Sequence, residues 1–126
     1  MFVHYERVRF RDLDAMGHVN NAVFLTYIES ARAAFLVDLG VATGPVDMSI
    51  IVARIEIDFR APVNFGEEVE VAVEARRFGE KSFDLGYVLH VSGRVVAEAV
   101  SVLVGYDYER VETVSIPDAW KEKLAA

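Results

Sequence analysis

Two carboxylates, an imidazole and two amides fall in one short run, Asp12-Leu13-Asp14-Ala15-Met16-Gly17-His18-Val19-Asn20-Asn21, which leads straight into a long apolar segment. If that segment is a helix, the run is a glycine-containing loop at its N-terminus. The first backbone N–H groups of a helix have no intrahelical acceptor and attract developing negative charge. Chemistry that builds an anion is what such a loop can support. Each residue also has a purely structural use: Asn20 or Asn21 as the helix N-cap, Asp12 closing the loop on backbone N–H groups, His18 as a hydrogen-bonding loop residue.

The flanking sequence supplies the elements that must hold this loop. Phe2–Phe10 interleaves β-branched and aromatic residues with charges and predicts a first strand. From Asn21 to Leu39 the residues Val23, Phe24, Tyr27, Ile28, Ala31, Ala34, Phe35 and Leu39 follow helical spacing. Glu29, Arg32 and Asp38 mark a narrower polar side, and Gly40 is a stop. So wide an apolar surface predicts a helix covered on most sides. After a Gly44-Pro45 turn, Ala53, Ile55, Ile57 and Phe59 alternate with Arg54, Glu56, Asp58 and Arg60, the period of a strand wetted on one face. The alternation continues through Val69–Ala75, Phe83–Val91 and Val95–Tyr108. These are separated by Pro62 with Asn64-Phe65-Gly66, by Gly79-Glu80 and by Ser92-Gly93, so a meander of consecutive hairpins is expected. A short helix over Pro117–Leu124, with Ser115 as its cap, closes the chain.

One strand, one long helix and four further strands make an α+β fold, in which an antiparallel five-stranded sheet curls round a single central helix. Such a sheet leaves edges and an outer face to be managed. Val100-Ser101-Val102-Leu103-Val104, in the last strand, is apolar on both faces. Association of copies is the economical cover; the C-terminal helix is the other.

The 126 residues fit one domain, 1–126, large enough for a core without staples. The absence of cysteine excludes disulfides, thiolate metal ligands and a cysteine nucleophile, and leans toward the cytoplasm. The N-terminus lacks the basic and then apolar pattern of a signal peptide, and no uncharged run approaches the ~18 residues a membrane span needs. A net charge of −7 argues against nucleic acid, although Arg76-Arg77 with Lys81, or Arg54 with Arg60, can still receive one anion. His4 and His90 show no metal-ligand spacing with His18, and no GxSxG, P-loop or dinucleotide glycine motif is present. Neither a metal nor a separate cofactor is expected.

The run Asp12–Asn21, followed by Tyr27-Ile28-Glu29-Ser30-Ala31-Arg32, resembles the 4-hydroxybenzoyl-CoA thioesterase-like family of hotdog-fold acyl-CoA thioesterases. The loop is also similar to that of plant acyl-ACP thioesterases. Ile51-Val52-Ala53-Arg54, Phe59-Arg60-Ala61-Pro62-Val63, Gly79-Glu80-Lys81-Ser82-Phe83 and Val96-Ala97-Glu98-Ala99 extend the resemblance over nearly the whole chain. It implies a hotdog fold, with the helix as sausage and the sheet as bun, in a homodimer or homotetramer with active sites at a dimer interface. It implies that Asp14 is the catalytic carboxylate and that an amide N–H near the helix start, sought around Gly17-His18, holds the thioester oxygen. The acyl-ACP enzymes carry an asparagine where this chain has Met16, so no role of that amide transfers; His18 and Asn20 remain as polar groups. A second carboxylate seen in some relatives has no single counterpart, since Glu56 and Asp58 both qualify. Glu29 is the reserve candidate, because a helical carboxylate catalyses in other hotdog branches.

A thioester suits so sparse a set. A thiolate leaving group with a conjugate acid near pKa ~8.5 needs no strong general acid, so the site must supply a nucleophile or a base for water, together with oxyanion stabilisation. The resemblance thus implies hydrolysis of an acyl- or aryl-CoA to free acid and CoA, with Asp14 as nucleophile or general base and Gly17 and His18 beside it. Asn20, Asn21 and Tyr27 are expected against the acyl thioester, with Val23, Phe24 and Ile57 as further walls of its pocket. Arg76, Arg77, Lys81 and Ser82 are expected on the CoA phosphates, and CoA enters as part of the substrate. The rivals are a hydratase or dehydratase on the same fold, which needs a histidine and a carboxylate at the acyl chain, and a non-catalytic acyl-thioester-binding module.

Overall fold

A computed structural model of the chain describes residues 1–42 and 49–125, so the predicted Gly44-Pro45 turn lies outside the described residues. The long helix is α1, Asn21–Asp38. Asn20 has extended backbone, and its side-chain oxygen accepts from the Ala22 N–H at 2.9 Å, which caps the helix. At the other end Gly40, at φ +76°, lets the Gly40 and Val41 N–H groups return to the Val37 and Leu36 carbonyls. Phe24, Tyr27, Ile28, Ala31, Phe35 and Leu36 are buried along one stripe. Arg32 is buried beside that stripe, while Leu25 and Val37, elsewhere on the circumference, are exposed, and the expectation of a helix covered on most sides is corrected among the described residues.

The strands are β1 Phe2–Arg7, β2 Ile50–Phe59, β3 Glu68–Phe78, β4 Ser82–Val91 and β5 Arg94–Asp107, with a short β6, Glu112–Thr113, paired to β5. Their order across the antiparallel sheet is β1-β3-β4-β5-β2. The predicted meander therefore fails at one step. β2 pairs with β5, placing Ile57 opposite Ala99, while β1 takes the place beside β3, with His4 opposite Val71. The connection from Phe59 to Glu68 is too long for a tight two-residue hairpin. It is drawn away from β2 instead, for its Val63 carbonyl accepts from Val19 and its Glu67 carbonyl accepts from Val8. β1 also stops short of Phe10, because the chain turns through a 3-10 helix at Phe10–Asp12.

Phe83, Leu85, Tyr87 and Leu89 of β4 join Ala97, Ala99 and Leu103 of β5 and Val69, Val71 and Val73 of β3 in the core with α1. The alternate residues, such as Gly86 opposite Val100 and Asp84 opposite Val102, take the outer face. Val100–Val104 lies between β4 and β2 and is no edge; the open edges are β1 and β2. The last helix, α2, Asp118–Ala125, starts on the Pro117 carbonyl, which accepts from Trp120 and Lys121, rather than on Ser115. Leu124 enters the core and Lys123 Nζ donates to the Gly40 carbonyl at 3.1 Å. α2 therefore sits beside the end of α1 and leaves the outer face of β5 uncovered.

Candidate active site

The Asp12–Asn21 loop folds on itself before it meets the helix. The Asp14 N–H donates to the His18 carbonyl at 2.8 Å and the Gly17 N–H to the Asp14 carbonyl at 3.1 Å. Gly17 sits at φ +81° with nothing within 4 Å of where a Cβ would stand, so the turn needs glycine for its backbone and not for space. Leu13 bridges Val19, and His18 bridges Asn64, which braces the loop against the β2–β3 connection. The half-buried Asp14 carboxylate turns back over this backbone: Oδ1 accepts from the Met16 N–H at 2.9 Å and from the His18 N–H at 3.3 Å. Its Oδ2 receives no hydrogen bond from the described residues. One oxygen is thereby oriented and the other left open.

That arrangement engages the backbone N–H groups around Gly17-His18 within the loop itself. The Gly17 and His18 N–H groups point back at Asp14, one to its carbonyl and one to its carboxylate. At the helix start the Ala22 N–H goes to the Asn20 side chain and the Val23 N–H to the Asn20 carbonyl. The Asn21 N–H, the first of α1, has no acceptor among the described residues. The Asn20 side-chain oxygen is engaged in the cap, and its amide nitrogen has no acceptor among the described residues. Asn21 is exposed, and His18 is half-buried with its imidazole in no hydrogen bond among the described residues.

Tyr27 corrects another expectation. It is fully buried in the core, and its hydroxyl donates to Asp12 Oδ2 at 2.7 Å. The same Oδ2 accepts from the Arg9 N–H at 2.9 Å and lies 3.5 Å from Arg9 Nε. Burial pushes the Asp12 carboxyl up, but the Arg9 N–H, the Tyr27 hydroxyl and the Arg9 charge together outweigh it and hold the group below the usual carboxylate range. Burial, reinforced by Asp12, pushes the Tyr27 phenol well up, so it remains a neutral donor. Phe24 is likewise core, edge-on to Phe59 with ring centroids 5.3 Å apart, while Val23 and Ile57 are half-buried. The pairing of Asp12 with Tyr27 was missed by reading residues singly; a phenol on a helix stripe that must be buried calls for a polar partner.

The cationic residues lie elsewhere. Arg76, Arg77, Lys81 and Ser82 surround the β3–β4 turn, at the far end of β3 from the loop. β3 has 11 residues, so about 33 Å separates its two ends. Within one chain these residues do not meet Asp14. Arg77 forks onto Asp84 at 2.9 and 3.1 Å and donates to Ser82 Oγ at 3.2 Å; the hydrogen bonding to Asp84 and the Asp84 charge raise its pKa. Arg76 lies 3.3 Å from Glu74. Glu56 and Asp58 stand on the outer sheet face, paired with Arg54 and Arg60, and are not brought to Asp14. Glu29 is exposed and meets the buried Arg32 at 3.9 Å, beside a cleft of about 360 Å³ that Ile50, Val52 and Tyr108 help to line. Among the described residues no three His, Asp or Glu side chains converge as metal ligands, and no helix is long and apolar enough to cross a membrane.

One helix laid on this five-stranded antiparallel sheet, with the loop at its N-terminus, is the hotdog fold. Residues 8–124 match the family model described as the thioesterase-like superfamily, and the chain belongs to that superfamily. A thioesterase from Thermus thermophilus, solved in complex with coenzyme A and Zn, is 34% identical with a TM-score of 0.87, over 98% of this chain and 97% of that one. The long-chain acyl-CoA thioesterase FadM of Escherichia coli is 28% identical over 122 residues, 94% of this chain and 92% of its own. The 1,4-dihydroxy-2-naphthoyl-CoA hydrolase of Synechococcus elongatus is 27% identical over 124 residues, 93% of this chain and 90% of its own.

Proposed function

We propose that this chain hydrolyses an acyl- or aryl-CoA thioester to the free acid and CoA, with Asp14 as nucleophile or general base. The observation that carries the reading is the Asp14 carboxylate itself, oriented through Oδ1 by two loop amides, with Oδ2 unpartnered and the first N–H of the following helix without an acceptor among the described residues. In this reading the thioester oxygen rests on the Asn21 N–H and its carbon faces Asp14 Oδ2. As nucleophile, Asp14 displaces CoA thiolate to form a mixed anhydride that water then opens. As base, it takes a proton from the water that adds to the carbonyl, and the tetrahedral adduct expels the thiolate. Either route needs the oxyanion donor and no strong acid. Relatives that hydrolyse long-chain and dihydroxynaphthoyl CoA esters, and a similar structure with CoA bound, support CoA as the thiol. Thiol release by Asp14→Asn and Asp14→Ala across a chain-length and aryl-acyl panel tests this; turnover at the wild-type rate in both would remove Asp14 from the mechanism.

The site is completed by a second copy. β2 is an open edge, and its residues Val52 and Phe59 are 42% and 43% exposed. Pairing of two β2 edges about a two-fold runs the strands antiparallel. The partner's β3–β4 hairpin then comes to the end of the sheet where Asp14 lies, and Arg76, Arg77, Lys81 and Ser82 meet the CoA phosphates in trans. A homodimer, alone or doubled into a homotetramer, is the assembly this reading requires. Its single domain, 1–126, works in the cytoplasm, consistent with an acidic chain without cysteine. Mixing Asp14→Ala protein with an Arg77→Ala/Lys81→Ala variant should restore part of the activity in mixed dimers; no recovery after verified subunit exchange would overturn the trans arrangement.

A further inference from the structure

We propose that Asp12 and Tyr27 are positioning residues, a buried strut that sets where the Asp14 carboxylate stands relative to the helix N-terminus. The proposal rests on the reading of Asp14 just given.

Two hydrogen bonds, one on each side of the Leu13–Val19 pair, tie the two arms of the loop together. The Asn20 N–H donates to the Asp12 carbonyl at 2.9 Å, Leu13 bridges Val19, and the Asp14 N–H donates to the His18 carbonyl at 2.8 Å. These form a short antiparallel ladder with Asp14 at its turn end, where His18 also bridges Asn64, and Asp12 beside the N-cap at the end next to α1. The open Asn21 N–H follows immediately from that end. The separation of Asp14 from this donor is therefore set by the pitch of the ladder and by how firmly its base is held. Backbone bonds brace the base, from the Val19 N–H to the Val63 carbonyl at 2.9 Å and from the Asp12 N–H to the Arg9 carbonyl at 2.9 Å, and one side chain ties it to α1. Asp12 is 4% exposed, and its Oδ2 takes the Tyr27 hydroxyl at 2.7 Å and the Arg9 N–H at 2.9 Å. Tyr27 is itself immobilised in the core beside Phe24, on the stripe of α1 that faces the sheet.

Filling that space does not require a carboxylate. An apolar pair of similar size would pack without desolvating a charge. What the polar pair adds is direction, since a hydrogen bond of this length constrains both distance and angle. The strut thus transmits the fixed frame of α1 into the loop, and a misplacement of about 1 Å at a reacting group costs up to about 100-fold in rate.

Tyr27→Phe keeps the ring and deletes the hydroxyl. It is expected to lower kcat about 10- to 100-fold with KM little changed, in protein whose circular dichroism and oligomeric state match the wild type. Asp12→Asn, which still offers an oxygen to the Tyr27 hydroxyl, should retain more kcat than Asp12→Ala. In an Asp14→Ala background, Tyr27→Phe should cause no further loss. A lowered melting temperature with wild-type kcat in Tyr27→Phe and Asp12→Asn would make the pair merely structural and overturn the proposal. So would a full additional loss in the Asp14→Ala background, which leaves the role of Asp14 standing. Wild-type turnover by Asp14→Ala itself would remove the functional reading, and the strut with it. Should Tyr27→Phe fail to fold, the ranking of the two Asp12 variants decides.

Discussion

The two ends of the sheet both carry conspicuous charge, and they are built differently. At the loop end three polar side chains are tied to backbone or buried: Asp12 on the Tyr27 hydroxyl, the Asp14 carboxylate through Oδ1 on two amides, and Asn20 on the helix start. At the hairpin end the two arginines are exposed and paired with neighbouring carboxylates, Arg76 with Glu74 and Arg77 with Asp84, where the Arg77 side chain is 54% exposed. Geometry at the loop end is settled before any substrate arrives, which is what bond making needs. The hairpin end presents charge on long side chains without placing it, which suits holding a phosphate.

Substitutions can break this comparison. The largest expected effect is at the loop: Asp14→Ala should reduce kcat by at least about 100-fold, with the protein folded. Arg77→Ala and Lys81→Ala should instead raise KM for CoA esters several-fold and leave kcat nearly intact. That KM difference from wild type should shrink at high salt, which screens exposed charges. Steady-state kinetics of the variants separate the two ends. An equal loss of kcat from both would erase the distinction.

Stability should divide in the same way. Asp12→Ala leaves the Tyr27 hydroxyl and the Arg9 N–H without their acceptor in a buried place. It is expected to cost about 2 kcal/mol, since unsatisfied buried groups are penalised individually, and chemical denaturation measures it. Gly17→Ala forces a side chain into φ +81° with open space around it, and should cost about 1 kcal/mol. Arg77→Ala should stay close to wild type, as substitutions in exposed ion pairs do.

How much of this was legible in the sequence depends on how local each feature is. α1 was readable to within a residue at each end, because Asn20 and Gly40 act on their own neighbours. Alternation located the strands and their faces, but it does not name partners, so the pairing of β2 with β5 across the fold went unread. The loop motif singled out Asp14. It did not disclose that the His18 N–H would turn back onto that carboxylate and leave the open N–H to Asn21, since that depends on a turn that exists only once folded. The Asp12–Tyr27 contact joins residues fifteen apart through the orientation of a helix. Arg76, Arg77 and Lys81 were legible as cations; their distance from Asp14 was not, because it follows from the length and direction of β3.

The smallest effect is a pH dependence that sharpens the contrast. Asp12 is held below the usual carboxylate range in the folded protein, so the unfolded chain binds its proton more readily. The stability contributed by this shift is complete above the ordinary aspartate pKa of ~3.9 and is lost as pH falls through the lower folded value. Denaturant midpoints measured between about pH 6 and the acid limit should therefore fall less steeply for Asp12→Asn than for wild type, with the two curves running parallel above about pH 5. The other carboxylates are common to both proteins and cancel in the difference, which isolates the buried group. Identical acid limbs would mean that Asp12 gains nothing from Arg9 and Tyr27 on folding, and the loop end would then be no better anchored than the hairpin.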